Sequence, residues 1–255
     1  MNIASLGFSP GNKWLYLNEP DGFVEQQVSG TRSIDALIFL DACIDNNFDS
    51  EFVVRDASLL TIADRERVLS ILYEICYGAK VETTVRCVKC KQSFDIDFVL
   101  PELIESLTPN DMIARKEENG IYVFTTGNGI SFRLCTGEDE LAVMGMSPEQ
   151  AEEVFFSRCL LQGDIETAKK ELPKVMDMVA PMVDTDIDTI CPECQTGQKF
   201  HFNLQSFFLK SLIRDKRLLT TEIDLLSLHY GWGLDEILHL PRSIRKTYVA
   251  YLEAV

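Results

Sequence analysis

The sequence predicts an α+β protein: two copies of a unit that combines helices with a β-hairpin, followed by a helical C-terminal tail. Three observations predict this fold. Apolar residues recur with helical spacing in some segments and alternate in others. A Cys-x-x-Cys motif occurs twice, with the first cysteines, Cys87 and Cys191, 104 positions apart. From residue 206 onward only helical spacing is found, broken by Gly231, Gly233 and Pro241.

The composition excludes several classes of protein. Hydrophobic residues make up 46% and charged residues 25% of the 255-residue chain, which is typical of a globular protein with a buried core. No stretch of eighteen apolar residues is present, so we expect no membrane span. Residues 1–13 lack the basic start and apolar stretch of a secretory signal. We therefore expect a soluble cytoplasmic protein in a reducing compartment.

The net charge of −16 is unevenly distributed. From Gln205 the chain carries seven Lys or Arg and six Asp or Glu, whereas the residues before it carry a net charge of −17. So acidic a body would be repelled by phosphate backbones, which argues against nucleic acid as a partner. The charge either serves solubility alone or accompanies a tail that docks on another protein.

Residues 1–32 are rich in Gly, Pro and Asn, and we expect an extended N-terminal arm there that either pairs with the body or docks on a partner. Apolar spacing predicts a helix over 33–45 and a stronger one from Thr61 to Gly78, where glycine favours a helix end. Alternation then predicts strands over 81–86 and 94–98. The first half of the body thus covers about 33–100.

The second half covers about 120–205. A hairpin is predicted from strands 121–125 and 130–134, joined around Gly127-Asn128-Gly129. Ser147 and Pro148 open a helix as cap and first residue, and a short helix is expected over 173–182. Strands 184–190 and 200–204 flank the second cysteine motif.

The order helix, strand, Cys-x-x-Cys, strand therefore occurs twice, which predicts an internal duplication. The cysteines match at a shift of 104, whereas strand 94–98 matches 200–204 at a shift of 106, which predicts a two-residue insertion after the second motif. Because two repeats are too few for a solenoid, we expect the halves, spanning 33–205 together, to close on each other.

Cysteine chemistry points to a metal ion. A Cys-x-x-Cys turn in a hairpin directs two sulfurs to one point, and two such turns supply the four ligands of a structural zinc site. The sequence therefore predicts one structural Zn²⁺ per chain in a zinc-ribbon-like arrangement, with these ligands: Cys87, Cys90, Cys191 and Cys194. The alternative is a redox dithiol, but that chemistry favours a motif at a helix N-terminus.

The other four cysteines have apolar neighbours, and we expect them to be separate buried core residues: Cys43, Cys76, Cys135 and Cys159. Candidates for catalysis are few. His201 lies in an alternating strand, and Asp95 and Asp97 occupy positions typical of a solvated face. Because no nucleophile elbow or phosphate loop is present, we expect no catalytic residues and no enzyme activity.

The tail, residues 206–255, is predicted to be a helical module. Its aromatic and basic residues are those that protein interfaces favour, which predicts a partner-binding surface that includes Trp232, Arg242, Arg245 and Tyr248. The alternative is a small structural cap, in which Trp232 and Tyr248 form the cap's own core.

Two stretches resemble a known family. The tail, with His229-Tyr230-Gly231-Trp232 and Leu240-Pro241-Arg242, and the middle segment from Ile130 through Glu140 to Leu160 are similar to baseplate hub assembly proteins of the phage T4 type. These occur in contractile-tailed phages and related contractile injection systems. The resemblance covers about the last half of the chain and implies a chaperone or assembly role without catalysis, with hub or spike components as partners.

The sequence thus favours a non-enzymatic assembly factor or structural component of a contractile baseplate, present in the bacterial cytosol or on the assembled particle. A zinc-ribbon adaptor of another cytosolic complex is the alternative. A metal- or thiol-dependent enzyme is the third hypothesis.

Overall fold

The computed structural model describes residues 2–11, 13–48, 50–124 and 129–254. Its strands are β1 Asn2–Leu6, β2 Lys13–Leu17, β3 Lys80–Arg86, β4 Ser93–Val99, β5 Ala114–Lys116, β6 Ile121–Phe124, β7 Ser131–Arg133, β8 Leu160–Gln162, β9 Asp184–Ile190 and β10 Gly197–Asn203. Its α-helices are α1 Gly22–Gln27, α2 Ser33–Cys43, α3 Ile62–Tyr77, α4 Leu100–Ser106, α5 Gly137–Ala142, α6 Pro148–Cys159, α7 Ile165–Val179, α8 Leu204–Tyr230, α9 Leu234–Leu238 and α10 Arg242–Glu253.

The mixture of helices and small antiparallel sheets confirms the α+β class. Three two-stranded hairpins, β1–β2, β3–β4 and β9–β10, accompany a four-stranded antiparallel sheet in the order β5-β6-β7-β8. Of the turn predicted around 127–129 between β6 and β7, residues 127 and 128 lie outside the described residues. Within the described part of the chain, every helix is too short or too polar to cross a bilayer.

The N-terminal residues differ from the extended arm predicted for 1–32. They form the β1–β2 hairpin and helix α1, and alternate side chains such as Leu15 and Leu17 are fully buried in the main core. Asp21 caps α1 by accepting a hydrogen bond from the backbone N–H of Val24. The pattern was missed because each strand has only five residues, and the glycines that suggested an irregular arm, Gly7 and Gly11, lie between the two strands.

The main core joins the N-terminal hairpin, α2 and α3 to the first half of α8. Helix α3 begins after Thr61, whose hydroxyl accepts from the N–H of Asp64, and ends at Gly78 with a φ of 85°, as the sequence predicted. Phe208 of α8 is fully buried and packs edge-on against Phe39 and Tyr73. The boundary predicted at 205/206 therefore cuts a helix whose first turns belong to the main core.

A second core lies between the four-stranded sheet and helix α7, around the buried side chains of Phe132 and Leu172. Helix α7 starts at Ile165, earlier than the helix predicted over 173–182, because Pro173 lies inside the helix and does not start it. Helix α6 begins as expected, with Ser147 accepting a hydrogen bond from the N–H of Gln150 and Pro148 in the first turn.

The tail closes onto the N-terminal helix through buried charges. Arg242 donates to Glu25 at 2.8 Å and also pairs with Asp215, while Arg245 donates to Glu25 at 2.7 Å and to Glu222 at 2.8 Å. We call these five side chains the tail ion network. Its members are all buried, so the C-terminal helices are fixed to the body by groups more than 200 residues apart in sequence.

Candidate metal centre

The two cysteine turns have the same backbone geometry. In the first turn, residues 87–92, the N–H of Cys87 donates to the carbonyl of Gln92 at 2.8 Å, and that of Lys91 donates to the carbonyl of Cys87 at 3.1 Å. The equivalent bonds of the second turn, residues 191–196, measure 3.0 and 2.9 Å. Lys91 and Gln195 both adopt positive φ, 64° and 57°, which reverses the chain directly after each motif.

The hairpins around these turns match at one constant shift. Arg86 pairs with Ser93 at the top of β3–β4, and Ile190 pairs with Gly197 at the top of β9–β10, so cysteines and strands share the shift of 104. The predicted two-residue insertion is therefore wrong. The shift of 106 comes from matching the aromatic residues of strands 94–98 and 200–204. The hydrogen-bonded register of the two hairpins instead makes Phe98 equivalent to Phe202.

The turns face each other and bring four sulfurs together. Sγ of Cys87 lies 3.6 Å from Sγ of Cys194, Sγ of Cys90 lies 3.7 Å from Sγ of Cys191, and all four lie within 4.8 Å of one another. We call this group the four-cysteine cluster. Zinc–sulfur bonds of about 2.3 Å in a tetrahedron place the sulfurs about 3.8 Å apart. The cluster can therefore hold a metal ion, and its donor set fits zinc.

Burial and neighbouring hydrogen bonds also suit a structural site. Cys87 and Cys191 are buried in a small apolar cluster with Val85 and Phe94. The N–H of Lys89 lies 3.4 Å from Sγ of Cys87, in the position of a donor to a thiolate. Hydrogen bonds of this kind orient ligands and stabilise their charge.

The pKa values of the thiols show why a cation suits this cluster. Hydrogen bonds between Cys194 and the side chain and backbone of Thr196 lower the pKa of Cys194 to about 6. A backbone hydrogen bond at Gln92 lowers the pKa of Cys90, but burial and hydrogen bonds with the other thiols outweigh it and raise that pKa to about 12. Four neighbouring thiols cannot all ionise alone, whereas a bound divalent cation displaces their protons.

A side chain that the sequence analysis missed joins the two turns. Gln198 of β10 accepts from the N–H of Val88 at 2.8 Å and donates to the carbonyl of Arg86 at 3.2 Å. Its amide thus provides hydrogen-bond partners for one backbone N–H and one backbone carbonyl of the first hairpin. An isolated glutamine in an alternating strand gives no signal of this role in the sequence.

The predicted partner-binding residues fall into two groups. Trp232 and Tyr248 lie with Tyr230 in one aromatic cluster, with ring centroids 4.8–5.5 Å apart, and Tyr248 is 38% exposed. Arg242 and Arg245, by contrast, are 4% and 0% exposed in the tail ion network. The prediction that these arginines contact a partner is therefore corrected, because their charges are already neutralised inside the fold.

The prediction of four separate core cysteines also needs correction. Cys43 is buried, but Sγ of Cys135 lies 3.0 Å from Sγ of Cys159. In the sequence, Cys135 lies two residues after Arg133, and Cys159 directly follows Arg158. An arginine close to each cysteine is the signal from which this pair could have been predicted. His201 lies exposed, against Asp184 and Asp186.

Comparisons with protein-family models, curated proteins and solved structures found no match to this chain. The geometry of its own residues therefore carries the functional argument.

Proposed function

We propose that this protein is a non-enzymatic assembly factor or structural component of a phage-like contractile baseplate, and that one zinc ion stabilises its body. The observation that supports the zinc ion is the convergence of four sulfurs from two turns 104 residues apart, and the baseplate role rests on the resemblance of the tail and the middle segment. Four thiolates complete the coordination of zinc and leave no position for a substrate, so such an ion holds structure together and does not catalyse.

Zinc is favoured over other metals by the ligands. Tetrahedral four-sulfur sites hold zinc or iron, whereas magnesium and calcium require oxygen ligands. Elemental analysis of the purified protein should find one zinc per chain. Iron in place of zinc would give a coloured protein and would contradict the zinc assignment, and absence of any metal would contradict the site itself.

The contact surface that suits an assembly role lies on the tail. Tyr230, Trp232 and Tyr248 form an aromatic cluster, and Tyr251, one helical turn beyond Tyr248 on α10, is 65% exposed. Exposed aromatic side chains are frequent anchors of protein interfaces. The family resemblance of the tail supplies the kind of partner, a hub or spike component.

Co-expression with the hub and spike proteins encoded in the same genome tests this role. We expect a stable complex with one of them, and the double change Tyr248→Ala and Tyr251→Ala should weaken capture at least about tenfold. Ile165→Ala, which alters an exposed apolar residue of α7, is the matched control and should leave capture unchanged.

The outcomes separate the alternatives. Zinc content and unfolding midpoint confirm that each variant is folded before capture is scored. If the double variant still captures its partner, the aromatic residues of the tail are not the contact surface. A stable complex with proteins other than baseplate components would favour the alternative function, a zinc-ribbon adaptor, which the paired cysteine turns also suit.

A further inference from the structure

The second group of cysteines has its own geometry. Cys135 lies two residues after the end of β7, and Cys159 is the last residue of α6. Their sulfurs are 3.0 Å apart, about 1 Å longer than a disulfide bond. Formation of that bond therefore requires only a small movement of the two side chains.

Asp139 and two arginines decide which chemistry this pair supports. The fully buried carboxylate of Asp139 accepts hydrogen bonds from Arg133 at 2.6 and 2.8 Å and from Arg158 at 2.5 Å, and also from the backbone of Thr136. Its oxygens are thus already occupied, and two guanidinium groups stand beside it. A metal cation would be repelled there, whereas a thiolate would be stabilised.

Oxidation of a thiol pair to a disulfide starts from the more acidic thiol, and the two thiols of this pair differ in acidity. The hydrogen bond with Cys135 lowers the pKa of Cys159, and the charges of Arg133 and Arg158 act in the same direction. Together they outweigh burial and the carboxylate of Asp139, which raise that pKa. The same hydrogen bond and burial raise the pKa of Cys135. Cys159 is therefore the more acidic thiol of the pair, and its thiolate is the form that attacks an oxidant.

Access to the pair is through an apolar cavity. Both cysteines line a space of about 310 Å³ together with Phe155, Leu172 and Met176. Cys159 itself is only 1% exposed. A small neutral molecule such as hydrogen peroxide can reach its sulfur through this cavity.

We propose that Cys135 and Cys159 form a peroxide-reactive dithiol site that closes reversibly to an intramolecular disulfide. The Cys159 thiolate attacks hydrogen peroxide, forming a sulfenic acid and releasing hydroxide. The Cys135 sulfur then displaces the sulfenic oxygen, which leaves as water after taking up the Cys135 proton. Two thiols and one peroxide give one disulfide and two waters, and a dithiol reductant reverses the reaction.

The test treats the metal-loaded protein with stoichiometric hydrogen peroxide, then alkylates the remaining thiols and maps the peptides by mass spectrometry. We expect the loss of two free thiols per chain, a 135–159 linked peptide, and full recovery with dithiothreitol. Zinc release, followed with a chromogenic chelator in the same sample, should occur only at higher peroxide concentrations.

Variants keep the test independent of folding defects. Cys135→Ser should leave Cys159 as a sulfenic acid that dimedone traps, whereas the control Cys43→Ser, which alters a different buried cysteine, should still lose two thiols. The proposal is overturned if the wild-type protein keeps all eight thiols under peroxide, or if the first disulfide formed joins the cysteine turns with loss of zinc.

Discussion

The two cysteine hairpins have the same turns but different surroundings. Both have seven-residue strands, the same hydrogen bonds around the motif, and a residue with positive φ after the second cysteine. Each is also closed at its base in the same way, since Leu100 donates to the carbonyl of Ala79 and Leu204 donates to that of Val183.

The helices that come after the two hairpins differ in length and in packing. The first hairpin continues into α4, which has 7 residues, and the second into α8, which has 27 and enters the main core. Phe94 of the first hairpin packs beside the sulfurs, whereas the equivalent Gln198 reaches across to the opposite turn. The comparison shows that the two turns keep the same backbone geometry although the strand and helix residues around them differ.

The largest expected effect tests whether the two cysteine turns contribute equally to metal binding and to stability. Cys87→Ser and Cys191→Ser each remove one ligand of the cluster, and each should abolish tight zinc binding and cost more than about 4 kcal/mol of unfolding free energy. Zinc content and denaturant unfolding measure both quantities. Zinc retention by one variant but not by the other would contradict a shared site.

A smaller effect concerns the base of the second hairpin. Glu66 of α3 accepts a hydrogen bond from the N–H of Val183, and burial of the carboxyl raises its pKa from 4.5 to about 7. Because the folded protein holds this proton more tightly than the unfolded chain does, its contribution to stability is full below pH 4.5 and is lost as pH rises to about 7.

Glu66→Gln removes that pH dependence while keeping an acceptor for Val183. The variant should be more stable than the wild type by about 3 kcal/mol at pH 8, with the difference vanishing near pH 4. Urea unfolding across this range provides the measurement. An equal stability difference at both pH values would show that Glu66 does not titrate with folding.

The smallest effect distinguishes the hairpins from each other. Gln198→Leu leaves the N–H of Val88 and the carbonyl of Arg86 without their side-chain partner, and should cost about 1–2 kcal/mol. Phe94→Leu, at the equivalent position, keeps an apolar group and serves as the comparison for packing alone. Amide exchange at Val88 should accelerate in the first variant only, and acceleration in both would reject the bridging role of Gln198.

Local patterns in the sequence were sufficient for part of this structure. Helix α3 was predicted from Thr61 to Gly78 because its cap residues lie at its ends, and the Cys-x-x-Cys turns were visible because their spacing is local. Helix α7 was predicted too short because proline is more frequent in the first turn than inside a helix, and Pro173 lies inside.

Features that depend on distant residues were not predictable in the same way. The burial of Arg242 is explained by Glu25, 217 positions away, and the sequence around Arg242 resembles that of an exposed arginine. The pairing of Cys135 with Cys159 likewise depends on the packing of α6 beside the four-stranded sheet. Such contacts arise only when the whole chain is folded.

The tail ion network has a consequence for the order of folding during synthesis. The ribosome releases Glu25 early, but the guanidinium groups of Arg242 and Arg245 emerge only after more than 200 further residues. All four thiols of the four-cysteine cluster also emerge before these arginines, at a stage when Glu25 has neither guanidinium partner. Closure of α10 over Glu25 must therefore follow synthesis of both arginines, and a chain truncated before Arg242 would leave Glu25 without its two guanidinium partners.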